Sequence, residues 1–234
     1  MHPSPTPPGA PLTFRLDDGR TAHVLFTDRH AGDLRVDGDA TALAARRAAL
    51  VAHPWTWMHQ VHGADLVVVD APGAHAGATA DAAVVVASDA PVAVHTADCA
   101  PVALVARGVA LAVVHAGWRG LAAGVLERAV TALRAVGGDD VVAVLGPCIH
   151  AECYEFGADD LAVLADRYGA SVRGRTTGGR DALDVPAAVA ASLGALDVPL
   201  DAGPSVCTAC DERWFSHRAR TETGRQALVG WIRG

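Results

Sequence analysis

The sequence has no apolar run near the ~18 residues that a membrane-crossing helix needs. Its first stretch, MHPSPTPPGAPL, lacks the basic segment followed by an apolar one that marks a secretory leader. From these two absences the expectation is a cytoplasmic protein with no membrane partner. Cysteine is scarce: only Cys99, Cys148, Cys153, Cys207 and Cys210 are present. An odd, small number in 234 residues without a leader argues against a disulfide framework and leaves thiols free for metal binding or catalysis. Basic residues are outnumbered, 19 against 26 acidic ones, for a net charge of −7. Such a chain repels a phosphate backbone, so no nucleic-acid partner is expected, although a local basic pocket for one small anion is compatible with it. Internal repeats are also absent.

What is present is a globular composition, 51% hydrophobic and 19% charged, enough for a substantial core. Four prolines among small polar neighbours make residues 1–10 a disordered tail. Residues 11–234 then read as a single catalytic domain. Gly/Ala/Pro-rich stretches at 71–79 and 173–182 read as surface loops. Strands are expected at Thr21–Thr27, Leu66–Asp70, Ala82–Ala87, Val92–Thr96, Val102–Val105, Ala110–His115, Val141–Leu145 and Ala227–Ile232, several of them valine-rich and continuous enough to be buried. Helices are expected at Thr41–Ala52, with Asp39 or Thr41 near the N-cap, and at Leu121–Val136, closed by Gly137 and Gly138. Two more fall at Asp159–Tyr168 and Pro186–Leu196, the second capped by Asp184. Several strands follow one another around 82–115 without a helix between them. That excludes strict βαβ alternation and favours α+β with mixed sheets.

Three segments end strand-like runs with potential ligands: MHQVHG at 58–63, TADCAP at 96–101 and VHAGWRG at 114–120. His62, Cys99 and His115 would supply two imidazoles and a thiolate, three protein ligands with a fourth position open, as catalytic zinc commonly has. Copper also accepts such a set. Each residue alone has a bland alternative: a lone cysteine in a valine-rich strand is usually a small core residue, and a lone histidine a hydrogen-bonded one. Cys207-x-x-Cys210 is half of a zinc site or a redox pair, with no second such motif to complete four thiolates. Arg119, directly before the expected helix at 121, is placed to pair two oxygens of an anion near free backbone N–H groups. Its bland alternative is a surface arginine lying on Trp118.

Taken in order, HQVHG at 59–63, TADCAPVAL at 96–104, HAGWRG at 115–120, GPCIHAECYEFG at 146–157, CTAC at 207–210, FSHRAR at 215–220 and TGRQALV at 223–229 resemble the laccase-domain (YfiH-like) family. FTDRHAGD at 26–33 is similar to its N-terminal signature. Members carry the names multicopper polyphenol oxidase, purine nucleoside phosphorylase and peptidoglycan editing factor. The resemblance covers nearly the whole chain after the proline tail. It implies an α+β sandwich of mixed sheets flanked by helices, similar in shape to toxin deamidases. It also implies a metal, zinc with copper as the alternative, on His62, Cys99 and His115. The implied reaction is phosphorolysis of adenosine, inosine and 5′-methylthioadenosine, with adenosine deamination as a side activity. The implied partners are therefore a purine nucleoside and phosphate. Arg119 and Cys153 fall on the family's HAGWRG and CYE segments, and with Gln60 they are assigned to substrate binding. Cys99, His115 and Arg119 are assigned to catalysis. Departures are mild: His95 stands at a variable position, and His217 replaces a more usual tyrosine.

Three rival functions remain at this point. Cys99 could be the nucleophile of a thiol hydrolase or amidase, with His115 or His62 as base and no metal. A copper polyphenol oxidase is disfavoured, because none of the eleven histidines forms the H-x-H pairs of a trinuclear copper centre. A non-enzymatic binding module would leave three ligands at one open site unexplained.

Overall fold

The computed structural model describes residues 9–201, 203 and 206–234. The tail expected over 1–10 lies outside these residues except for Gly9 and Ala10. In chain order the elements are β1 (Leu12–Arg15), β2 (Thr21–Phe26), α1 (Ala40–Leu50), β3 (Thr56–His59), β4 (Leu66–Val69), β5 (Ala78–Thr79), β6 (Ala82–Val85), β7 (Val92–Thr96), β8 (Ala100–Ala106) and β9 (Ala110–Ala116). There follow α2 (Trp118–Ala123), α3 (Val125–Ala135), β10 (Val141–Leu145), α4 (Ala158–Tyr168), β11 (Arg173–Arg175), β12 (Asp181–Leu183), α5 (Val185–Gly194), β13 (Leu200–Asp201), α6 (His217–Arg220) and β14 (Gln226–Arg233).

The strands form two six-stranded mixed sheets and one small hairpin. One sheet runs β1-β2-β14-β7-β3-β5 and the other β13-β10-β8-β9-β6-β4. In the first, β3 runs parallel to β7 and β5, and the remaining pairs are antiparallel. The four inner strands of the second sheet, β10, β8, β9 and β6, are buried on both faces. Val102, Leu104, Ala112 and Val114 pack under Leu126, Val130 and Leu133 of α3 and Val189 of α5. Their neighbours Ala103, Val105, Leu111 and Val113 face Val92, Val94 and Leu228 of the first sheet. The outer face of that sheet, with Leu25, Ala93 and Val229, is covered by Leu43 of α1. The result is a sandwich of two sheets with helices outside each. Two-sided burial is why β8 and β9 carry apolar side chains at almost every position instead of alternating. Each fully buried valine or leucine contributes ~1.5–3 kcal/mol.

Two local expectations need correction. The helix expected at Leu121–Val136 is two helices: Gly124 takes a left-handed conformation, φ 83°, ending α2 and starting α3. A glycine meets that conformation without the Cβ penalty, and the break lets α2 begin earlier, at Trp118. Neither stretch expected as loop is all loop: β5 occupies the end of 71–79, and β11 and β12 pair antiparallel across 173–182. Arg175 and Asp181 form an ion pair across this hairpin. Asp39 caps α1 through bonds from the Thr41 and Ala42 N–H groups, and Asp184 caps α5 through Ala187.

Candidate metal centre

His62, Cys99 and His115 come from three separate elements and meet. His115 is on β9, Cys99 lies between β7 and β8, and His62 is in the turn after β3. Each offers one ligand atom, and these atoms lie within 4.8 Å of one another. Cys99 Sγ is 3.8 Å from His62 Nε2, and the two imidazoles meet edge to face at 4.8 Å. Burial is graded: His115 is buried, Cys99 half-buried and His62 exposed, so the cluster opens to solvent on one side.

One carboxylate organises this geometry. Asp81, fully buried just before β6, accepts a 2.7 Å hydrogen bond from His115 Nδ1. It also accepts from the backbone N–H groups of Val61, His62 and Gly63 at 3.2, 3.0 and 2.7 Å. The same side chain therefore fixes the ring of one ligand and the turn that presents another, in which His62 has φ 59°. With Nδ1 of His115 committed to Asp81, Nε2 is the nitrogen left to face the cluster, the arrangement that a carboxylate hydrogen-bonded behind a metal-binding histidine imposes. Asp81 went unnoticed in the sequence, where an aspartate between alanines before a valine run reads as a turn residue.

Two glycines let the parts close up. A Cβ on Gly117 would stand 2.8 Å from His62 Cδ2 and 3.2 Å from Cys99 Sγ. One on Gly120 would meet the Gly63 carbonyl at 2.9 Å, so α2 packs directly on the His62 turn. Asp98, with φ 99°, ties the Cys99 loop to the C-terminal segment by accepting from Thr208 Oγ1 at 2.7 Å and the Arg218 N–H at 2.6 Å.

The charges of the cluster are strongly coupled. Burial pushes the Cys99 thiol up, but the positive charge and hydrogen bond of His115, with help from His62, outweigh it and bring the thiol down to about 6. For His115 burial works downward, and the Cys99 charge and the Asp81 hydrogen bond outweigh it and raise the imidazole to about 9. Without a metal, the pair is a thiolate and an imidazolium at neutral pH. Behind them His95, on β7, is pushed down to about 3 by burial, with Arg47, His115 and Arg225 adding repulsion.

The remaining sequence candidates divide. Arg119 is exposed, and its guanidinium lies over the Trp118 ring at 4.3 Å. Its charge, with that of Arg218, reaches Tyr154, whose hydroxyl is raised to about 12 by burial and by the Cys99 charge. Trp118, Tyr154 and Phe156 form an edge-to-face aromatic group, and Arg218 stacks on Tyr154 at 4.8 Å. Tyr154 and Arg218 lie within motifs quoted for the resemblance but were not singled out by sequence reasoning. Gln60 has its amide occupied: it donates to the His95 carbonyl at 2.9 Å and accepts from the His95 N–H at 2.8 Å, joining the end of β3 to β7. The Cys153 thiol lies 3.3 Å from Cys210 Sγ, in a different cluster from Cys99. All five cysteines are free.

Fold and site together define a protein of the laccase-domain type. The family described as multi-copper polyphenol oxidoreductase laccase matches residues 26–233, and the chain belongs to it. A purine nucleoside phosphorylase of Streptomyces coelicolor is 39% identical over 233 residues, spanning 90% of this chain and 96% of its own. One of Xylella fastidiosa is 37% identical, spanning 97% and 94%. Among solved structures, a Neisseria meningitidis protein of the same fold superimposes with a TM-score of 0.81 at 28% identity, over 96% of this chain and 99% of its own. YlmD of Geobacillus stearothermophilus gives 0.79 at 27%, over 92% and 93%. No helix among the described residues is long and apolar enough to cross a membrane.

Proposed function

We propose that this chain is a metal-dependent purine nucleoside phosphorylase acting on adenosine, inosine and 5′-methylthioadenosine, with deamination of adenosine as a lesser activity. The observation that carries this reading is the His62–Cys99–His115 cluster held by Asp81 and bordered by aromatic and arginine side chains. The relatives' names point the same way. The donor set fits zinc: two imidazoles and a low thiol, one histidine oriented by a carboxylate, and an open side. Held by His62, Cys99 and His115, a zinc ion would supply Lewis acidity and would lower the pKa of water toward ~7.

The chain's own residues supply binding and orientation. In phosphorolysis a phosphate oxygen bonds to C1′ of the ribose while the C1′–N9 bond breaks, its electron pair leaving with the purine. Arg119, exposed and lying over Trp118, offers a planar fork to two phosphate oxygens. Tyr154 and Phe156 offer aromatic surface to the base. The Tyr154 hydroxyl, raised to about 12, keeps its proton and donates a hydrogen bond to the departing purine. The test is turnover of the three nucleosides with and without phosphate, on protein of measured metal content. Ribose 1-phosphate and free base formed only with phosphate support the reading; free base released equally without phosphate removes phosphorolysis from it, whereas phosphate-independent conversion of adenosine to inosine is the expected lesser activity.

One further observation favours a second reading. Cys99, His115 and Asp81 form a nucleophile–base–carboxylate chain, with a lowered thiol and a 2.7 Å His–Asp bond. A metal-free thiol hydrolase or amidase acting in peptidoglycan precursor editing would use these three residues. Metal content separates the two, because a bound metal occupies the Cys99 thiolate.

A further inference from the structure

A second group of ligands lies outside this centre. One atom each of Glu152, Cys153, Cys207 and Cys210 lies within 4.8 Å of the others. Cys210 Sγ is 3.3 Å from Cys153 Sγ and 3.9 Å from Glu152 Oε1. A tetrahedral ion with metal–sulfur bonds of ~2.3 Å sets its sulfurs ~3.8 Å apart, so small side-chain shifts suffice to admit one. The ligands come from two distant segments. Glu152 and Cys153 end the short helical turn Ala151–Cys153, and Cys207 and Cys210 belong to CTAC. Backbone bonds already join the two segments: Cys148 N–H donates to Val206 O, and Thr208 N–H to Cys148 O.

The CTAC turn is shaped as a thiolate holder. Cys210 and Asp211 N–H groups both donate to the Cys207 carbonyl, folding the turn so that both thiols face one side. The Cys207 sulfur receives the His150 N–H at 3.4 Å. Backbone donors aimed at a sulfur stabilise a charged, coordinating thiolate. With Cys207 buried and Cys210 exposed, an ion has an entry path.

We propose that Glu152, Cys153, Cys207 and Cys210 form a second, structural site for a thiophilic divalent cation, zinc in the first instance. Binding forms three metal–sulfur bonds and one metal–oxygen bond and releases the thiol protons to solvent. The ion clamps the 148–153 segment to the C-terminal one, whose Thr208 holds Asp98 beside Cys99. It serves the wall of the first centre without touching substrate. The proposal is independent of the phosphorylase reading.

The test uses the full chain, purified with reductant and without added metal, and counts zinc per chain. A Cys99→Ser variant, with four of its five cysteines left, is expected to keep one ion; His62→Ala serves in its place if Cys99→Ser is insoluble. Cys99→Ser combined with Cys210→Ser should hold none tightly. In the Cys99→Ser background, cobalt(II) should give intense tetrahedral absorption with sulfur-to-cobalt charge transfer; when Cys210 is also replaced, that absorption should vanish at stoichiometric cobalt and return, weakened by about a third, only at saturating cobalt. Folded Cys99→Ser protein with four titratable thiols and no affinity for zinc or cobalt overturns the proposal, as does a Cys153–Cys210 disulfide in reductant-purified protein. If phosphorolysis fails while Cys99→Ser protein keeps its ion, the functional reading falls and this site stands.

Discussion

Asp81 Oδ1 stands 2.7 Å from His115 Nδ1, and the same carboxylate gathers the N–H groups of Val61, His62 and Gly63. Asp81→Asn replaces an all-acceptor group by one with a single acceptor oxygen. Each donor left buried without a partner costs ~1–3 kcal/mol. Loss of the carboxylate behind a ligating histidine typically weakens metal binding ~10–100-fold. Both effects are expected in this variant, measured by thermal unfolding and by competition with a chelator. Unchanged metal affinity would detach Asp81 from the ligand set.

Gly117 takes an ordinary extended conformation, φ −71° and ψ 161°, so alanine there meets no backbone strain. Its methyl instead enters the cluster, nearest His62 Cδ2. Because His62 is exposed on a turn, it yields first. Gly117→Ala should keep its circular dichroism spectrum and lose metal affinity at least ~10-fold, about 1.4 kcal/mol. Full affinity would mean that the cluster does not close as tightly as the backbone demands.

The Cys99–His115 pair gives a pH signature in metal-free protein. Cys99 is lowered from 9.0 to about 6, so its contribution to stability is complete above 9.0 and lost as pH falls through about 6. His115 is raised from 6.5 to about 9, so its contribution is complete below 6.5 and lost as pH rises through about 9. Between 6.5 and 9 the two slopes oppose each other, because folded and unfolded states hold the same one proton, on imidazole or on thiol. Thiolate absorbance should therefore rise near pH 6, while the pair adds almost no pH dependence to urea-unfolding stability from 6.5 to 9. A thiolate that forms only above pH 8 contradicts the pairing.

Arg119→Ala should raise the phosphate KM by ~10-fold or more, the scale of one lost charge-assisted hydrogen bond, and leave metal content unchanged. Lysine should restore only part, since it lacks the planar fork. An unaltered phosphate dependence returns Arg119 to covering Trp118.

The strands from Ala82 to Ala116 were legible because burial on both faces demands continuous apolar runs, and Val92–Thr96 and Val141–Leu145 matched residue for residue. The break at Gly124 was not, because alanine-rich sequence on both sides continues the helical pattern through it. Nor were β11 and β12, whose arginines, glycines and aspartate offer no alternation of apolar and polar residues. His62, Cys99 and His115 were found because each lies at or just beyond a strand end. The tie of Gln60 to the His95 backbone was not legible, because that partner lies 35 positions away on a strand that runs parallel to β3. No local pattern announces such a pairing.

The graded burial of the three ligands sets an order of events in time. His115 is carried by β9, hydrogen-bonded on both sides by β8 and β6, where amide exchange requires the deepest opening of the chain. His62 hangs on an exposed turn that needs only a local opening. An ion held by these residues therefore departs through His62, and a chelator competes first for that side. The lifetime of such a loaded protein would be set by how often the turn at 60–65, between β3 and β4, lifts, while the strands beneath stay shut.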